Sequence, residues 1–340
     1  MEAKYLVLGA TGGLGYAVTK ALLSQKIETT ILVRSYEKAI QLFGNHNFLT
    51  IIIGDISNTN LLRQISENKT HIFHGLNVSY DKWAKEMPTM TKSVIEAASL
   101  HKSTLIFPGN NYNYGNTTEP ITEITPFYPN SELAKVRVAL ETMILKATKQ
   151  GRIKAIIVRM SEIWGPNVTN KSFEPVFYNA IKGKKIPWLY TIDVPQQLLY
   201  NLDAGRAIVA LSDPEIAKDN YQVFNIGGQV FNSMRSFFED ICSYTKTSLK
   251  TSVLTSKFIN TLGWVHPTMK AIRNLAYKYE NTIMLDDRKF RKTLPDFQYT
   301  QKEKAMKDTI DWFQQLVVAT KDGRKKGGLK RGVVDFVADN

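Results

Sequence analysis

The run Val7-Leu8-Gly9-Ala10-Thr11-Gly12-Gly13-Leu14-Gly15 constrains the fold of this 340-residue chain more than any other feature. Lys4 to Leu8 before it reads as a buried strand, and Tyr16 to Leu23 after it as an apolar-faced helix. The glycines therefore fall where a strand turns sharply into a helix. The first permits the turn, the second lets the backbone approach a pyrophosphate, and the third lets helix and strand pack closely. The helix N-terminus adds unpaired N–H groups and the positive end of a dipole. In this context the pattern implies a nucleotide cofactor contacted by Gly9, Thr11, Gly12, Gly13, Leu14 and Gly15.

Beyond this loop the chain alternates β-rich runs with amphipathic stretches. Strands are expected at Tyr5–Leu8, Thr29–Val33, Leu49–Ile53, His71–Phe73, Thr104–Phe107 and Ala155–Val158, with helices at Ser35–Phe43, Asn58–Ile65, Lys82–Leu100 and Glu132–Lys149. Nearly continuous apolar strands between helices predict an α/β, Rossmann-like doubly wound parallel sheet with helices on both faces and ligands at the carboxyl ends of its strands. After Trp164-Gly165-Pro166 the pattern changes: helices at Phe173–Lys182, Asp203–Leu211 and Ser233–Tyr244, a strand at Gln222–Ile226, a less regular stretch over Leu249–Gln298, and a terminal helix over Gln301–Ala319. This predicts a dinucleotide domain over 1–165, a smaller C-terminal substrate lobe over 166–320 with some elements returning to the first domain, and a basic, flexible tail over 321–340.

A hydrophobic share of 43% and a charged share of 22% fit a globular protein, and no apolar run reaches membrane-spanning length. With the first strand starting almost at once, no room is left for a signal peptide, so a cytoplasmic location is expected. The net charge of +13 gathers partly in the tail, in Lys321, Arg324, Lys325, Lys326, Lys330 and Arg331, and reads as a solvated end rather than a nucleic-acid surface. Cys242 stands alone, and the five histidines lack ligand spacing; His71 and His74 would point to opposite faces of their strand. No metal site is expected.

The second strand ends in Val33-Arg34-Ser35, with no carboxylate to bond the adenine ribose and repel a 2′-phosphate. Arg34 offers a guanidinium fork instead, so NADP is expected over NAD. Asp55 and Ile56 after the third strand, and Leu76 and Asn77 after the fourth, are placed to line the dinucleotide; Asp55 reads equally as a helix cap.

Taken together, the glycine loop, Gly54-Asp55, Tyr114-Gly115, Lys135, Arg159, Trp164-Gly165-Pro166, Leu202 to Ala207 and Phe224 to Gly228 make the chain resemble an extended or atypical short-chain dehydrogenase/reductase of the NAD-dependent epimerase/dehydratase family. The resemblance implies a small-molecule substrate, a carbonyl or alcohol compound or a sugar nucleotide, and it allows a homodimer. It also implies Tyr-x-x-x-Lys on the helix after the fifth strand, with lysine holding the nicotinamide ribose and lowering the tyrosine pKa. Here Lys135 is kept, but the tyrosine position is Ser131, and the serine or threonine position after the fifth strand is Asn110. A serine hydroxyl ionises too reluctantly to replace a phenol. Three readings stay open: Tyr112 or Tyr80 supplies the missing hydroxyl, Lys135 is itself the acid/base, or the protein is an NADP(H)-binding sensor without turnover. The resemblance further brings the backbone at Ser161 near the nicotinamide carboxamide.

Overall fold

A computed structural model describes residues 2–262, 273 and 276–321. Its central sheet has seven strands, all paired in parallel: β1 (Lys4–Leu8), β2 (Glu28–Val33), β3 (Leu49–Ile53), β4 (His71–His74), β5 (Thr104–Asn110), β6 (Lys154–Met160) and β10 (Tyr221–Ile226). Their order is β10-β6-β5-β4-β1-β2-β3, so the winding reverses between β1 and β4 and opens a crevice at their carboxyl ends. This is the Rossmann-like sheet expected from the alternating sequence.

The strands are apolar on both faces because both are covered. On one side Tyr5, Val7, Ile31 and Phe73 pack against α1 (Gly13–Ser24), α2 (Tyr36–Phe43) and α7 (Asn201–Leu211). On the other, Leu6, Leu8, Ile72 and Leu105 pack against α3 (Thr59–Ser66), α4 (Trp83–His101) and α5 (Glu132–Lys149). Ser35 and Asn58 cap α2 and α3, each accepting a backbone N–H three residues on. Gly205 of α7 sits so close to α1 that a Cβ there would collide with the Ala17 backbone. Thus α7 and β10, both beyond residue 165, complete the first sheet and its cover.

The rest forms the lobe. Its three-stranded sheet joins β7 (Glu162–Trp164), β9 (Gln196–Tyr200) and β11 (Gln229–Phe231), and β8 (Ile186–Leu189) pairs with β12 (Thr251–Leu254). An aromatic core of Trp164, Phe173, Phe177, Phe237 and Phe313 binds α6 (Glu174–Ile181), α8 (Met234–Thr245) and α12 (Lys302–Lys321), with Cys242 buried within it. Shorter helices occupy α9 (Ser256–Leu262), α10 (Tyr277–Glu280) and α11 (Arg288–Thr293). Most of the basic tail, and His266, lie outside the described residues. Among the described residues no helix is long and apolar enough to cross a membrane.

His71 and His74 take opposite faces of β4, as their spacing requires: His71 stacks on Tyr5 at 4.6 Å, and His74 meets Phe107 edge-on and bonds Thr91 at 3.0 Å. Burial lowers His71 to about 4 and His74 to about 3. Both are neutral in the folded state and protonate readily once unfolded, so their contribution is intact above the unfolded value and lost as pH falls through the folded one. Between pH 6.5 and about 5 each should remove about 2 kcal/mol of stability. Denaturant midpoints measured across that range, with His74→Gln flattening the slope, check this.

Candidate active site

Gly9 has φ +81°, and a Cβ on it would strike the Gly75 carbonyl; a Cβ on Gly15 would strike the carbonyl of Gly9. Any side chain at these positions would break the β1–α1 turn. Gly12 is the N-cap of α1 and supplies no side-chain bond, so the first N–H groups of that helix are left to a ligand. The cradle fits a pyrophosphate. Two asparagines missed in the sequence hold it from the lobe side: Asn167 donates to the Thr11 carbonyl at 3.2 Å, and Asn201 donates to those of Gly13 at 3.0 Å and Pro166 at 2.7 Å. Leu14 is half-buried behind the loop.

At the adenine end of the crevice, Arg34 stands exposed just past β2. Asp55 accepts the Ser57 N–H at 2.9 Å, and that bond, with a smaller contribution from the Arg34 charge, holds its carboxyl below the usual range. Asp55 therefore shapes the turn, while Asn58 is the cap of α3. Ile56 is buried, and Leu76 packs partly onto the α3–α4 side of the sheet. The side-chain oxygen of Asn77 accepts from Val78 N and Trp83 Nε1. Ser161 donates to the Gly227 carbonyl, linking the ends of β6 and β10.

The helix after β5 departs from the expected arrangement. Ser131 is the N-cap of α5, its hydroxyl accepting the Ala134 N–H at 3.2 Å. Lys135 is 60% exposed and paired with Glu132 at 2.7 Å, so the structure does not bring it to the tyrosines. Two residues on, about 200° around the helix, Arg137 lies in the stripe Ala134, Glu141, Ile144 and Thr148 that faces the sheet. Its guanidinium sits 4.6 Å from the Trp83 ring and donates to the Pro108 carbonyl at 3.2 Å. Burial lowers its pKa, opposed by the phenols of Tyr112 and Tyr80. The sequence carried the signal in that stripe: on α5 the inward cation is the one in register with the buried residues.

Tyr112 and Tyr80 do meet. Asn110 accepts the Tyr112 N–H at 3.1 Å and so caps the single 3-10 turn Asn111–Tyr114 that aims the phenol inward. Tyr112 is 6% exposed, and its hydroxyl lies 3.3 Å from that of Tyr80, which comes after β4. A third group, one with no signal in the sequence, completes the cluster: Lys278 of α10 donates to the Tyr112 hydroxyl at 3.0 Å and to Glu162 of β7 at 2.9 Å. Burial and then the Glu162 charge push the Tyr112 phenol well above its ordinary value, and the neighbouring Tyr112 phenol pushes up that of Tyr80, which is partly open to solvent. Burial works to lower Lys278, but Glu162 outweighs it and the ammonium is held above its usual range. Beyond the cluster a cleft is lined by Glu162, Lys278, Asn111, Ser172, Gln196 and Trp188. Among the described residues no three His, Cys, Asp or Glu side chains gather as a metal site.

This turn is clamped from behind. Glu141 of α5 and Arg159 of β6 form a fully buried pair at 2.7 Å; Asn113 donates to Glu141 at 2.8 Å, and Arg159 lies 4.9 Å from the Phe127 ring.

Residues 5–227 match the model of the family described as NAD dependent epimerase/dehydratase. A UDP-N-acetyl-alpha-D-glucosaminuronate decarboxylase of Bacillus cytotoxicus is 22% identical over 338 residues, covering 93% of this chain and 99% of the relative. The structure of UDP-glucuronic acid 4-epimerase from Bacillus cereus in complex with NAD superposes with a TM-score of 0.74 at 19% identity, over 92% of this chain and 99% of that one. UDP-N-acetylglucosamine 4-epimerase from Methanobrevibacter ruminantium, in complex with UDP-N-acetylmuramic acid, gives 0.72 at 19%, over 93% and 100%.

Proposed function

Because the chain belongs to the NAD-dependent epimerase/dehydratase family, we propose that it is an NADP-preferring oxidoreductase, or an epimerase or dehydratase that retains its cofactor, with Tyr112 as the proton-transferring group. The observation that carries this is the convergence of Tyr112, Tyr80, Lys278 and Glu162 at the carboxyl ends of the strands. Sugar nucleotides enter as candidate substrates through the names of the relatives, and carbonyl or alcohol compounds through the site's own groups.

The bound dinucleotide would supply hydride exchange with a carbon of the substrate. Lys278 donates to the phenolic oxygen of Tyr112, which leaves the phenol's own proton free to point at Tyr80 or at a substrate oxygen. A phenol with a raised pKa is protonated near neutral pH, and it is still acidic enough to protonate an alkoxide. The phenolate left behind is stabilised by the Lys278 ammonium and, more remotely, by Arg137. Glu162, partly exposed, pairs with Lys278 and connects it to the cleft. Arg137 takes the inward place that the resemblance assigned to Lys135. A sensor without turnover rests on the same loss of tyrosine and serine, but the rebuilt phenol and ammonium support catalysis. Steady NADPH consumption with a carbonyl or sugar-nucleotide substrate, or conversion of such a substrate without net NADPH consumption where the cofactor is retained, tests this reading; neither with any of them would overturn it.

The NADP preference rests on Arg34, since the NAD named for the Bacillus cereus structure belongs to that protein. Removing a charge-assisted bond to a 2′-phosphate should weaken NADPH about 10–100-fold. Fluorescence titration of Arg34→Ala should show that loss with NADH affinity unchanged; equal affinities in the unmodified protein would refute the preference.

A further inference from the structure

We infer that the C-terminal lobe carries a basic docking surface for a lipid bilayer with acidic headgroups, built by the two turns that lead into β8 and β12. This surface is separate from the function proposed above. Its first ground is the distribution of charge along the chain: residues 175–192 and 241–279 hold nine lysines and arginines and not one Asp or Glu. Residues 321–340 hold six cations, but Asp322, Asp335 and Asp339 reduce their net charge to +3. Most of the net charge of +13 therefore belongs to these two lobe segments and not to the tail.

The fold brings the two segments together. β8 and β12 pair in parallel with Ile186 opposite Thr251, and the Ile186 N–H donates to the Lys250 carbonyl at 2.7 Å. Parallel pairing sets the residues before the two strands side by side, so the backbones of Lys185 and Lys250 lie about 5 Å apart. The Thr247 hydroxyl donates to the Ala180 carbonyl at 3.2 Å, which holds Lys246 at the end of α8 close to Lys182 and Lys184 just past α6. Lys184, Lys185, Lys246 and Lys250 are exposed, and none has an ion-pair partner among the described residues. The flanking carboxylates are committed elsewhere: Asp193 to Arg235 at 2.7 Å, Asp240 to Lys302 at 3.0 Å, and Glu280 to the Ser256 hydroxyl at 2.7 Å. Like charges fixed on adjacent strands repel, and an opposing anionic surface relieves that cost. All five cations are lysines, point charges on flexible stems, and none is the forked guanidinium that grips a single phosphate. Such a cluster suits the diffuse potential of acidic lipid, where each lysine adds about fivefold to binding. Tyr244, 41% exposed and two residues before Lys246, adds an amphipathic ring of the kind that settles among headgroups.

Co-sedimentation of the full-length protein with vesicles of phosphatidylcholine, alone or with about one-third phosphatidylserine, tests this. Binding should require phosphatidylserine and weaken by at least about tenfold as salt rises from about 0.1 M to about 0.5 M. Lys184→Gln, Lys185→Gln, Lys246→Gln and Lys250→Gln combined should weaken it by at least about 100-fold, with NADPH affinity, a measure of the intact fold, within about twofold. Lys250→Gln alone, with an expected loss of about fivefold, decides the matter if the combined variant no longer binds NADPH. Equal binding to neutral vesicles, binding indifferent to these substitutions, or no binding to either vesicle overturns the inference. Loss of binding on deleting residues 322–340, with none on the lysine substitutions, would place the attraction in the tail and overturn it as well. A DNA duplex that binds more tightly than the acidic vesicles, and loses its affinity in the same variants, would assign the patch to nucleic acid instead.

Discussion

Tyr112→Phe is expected to lower turnover by about 10²–10⁴-fold, the range for losing a positioned proton donor, while NADPH binding stays as it was. The substitution removes one oxygen and keeps the ring. The Asn110 cap on the turn acts through backbone and is untouched. Lys278 loses one bond but keeps Glu162, so the fold has little reason to respond. Tyr80→Phe serves as the comparison: it lies 3.3 Å from Tyr112 and lacks the ammonium contact, so its loss should be smaller. The raised phenol adds a pH signature. Since burial and Glu162 keep Tyr112 protonated, the reductive rate should be level through neutral pH and fall only in alkali. Lys135→Ala is the decisive control, because an exposed lysine bonded only to Glu132 should leave the rate within about twofold. A Lys135 variant as dead as Tyr112→Phe would return the chemistry to the pattern the family resemblance implied.

The second large effect is on stability. Glu141→Leu should destabilise the protein by about 3–5 kcal/mol, read as a shift in denaturant midpoint, because Arg159 would remain buried without its counter-charge. The Asn113 amide would lose its acceptor at the same time. Pairing the change with Arg159→Met should recover much of the loss, since an apolar pair avoids burying two ions. The Glu141 variant should also lose activity before it unfolds. Asn113 belongs to the turn that carries Tyr112, so loosening the clamp displaces the phenol.

How much of the fold and site was legible in the sequence depended on where each signal is encoded. The six N-terminal strands and their helices were readable because each is specified locally, by apolar runs and by caps such as Ser35 and Asn58. The glycine loop was equally readable, since the backbone at Gly9 and Gly15 tolerates nothing larger. The strand β9 was not read: its five residues owe their extended form to pairing with β7 and β11. The site failed for two different reasons. Lys135 was chosen by its distance from Ser131 along the chain, whereas helical phase points Arg137 inward and Lys135 out. Lys278 had no local signal at all, because its role exists only when α10 comes to rest beside Tyr112, 166 residues away along the chain. The segment around it read as irregular for the same reason.

The close seat of α7 on α1, where Gly205 meets the Ala17 backbone, sets a schedule for the chain as it is made. Val18, Ala21 and Leu22 are finished early, but Ala204, Ala207 and Ile208, which cover them, emerge from the ribosome nearly two hundred residues later. At translation rates of about 5–20 residues per second, the inner face of α1 waits roughly 10–40 s for its partner. During that interval the nascent cofactor half presents an uncovered apolar stripe, which makes it a client for chaperones. A fragment ending near residue 165 would hold that exposed state permanently.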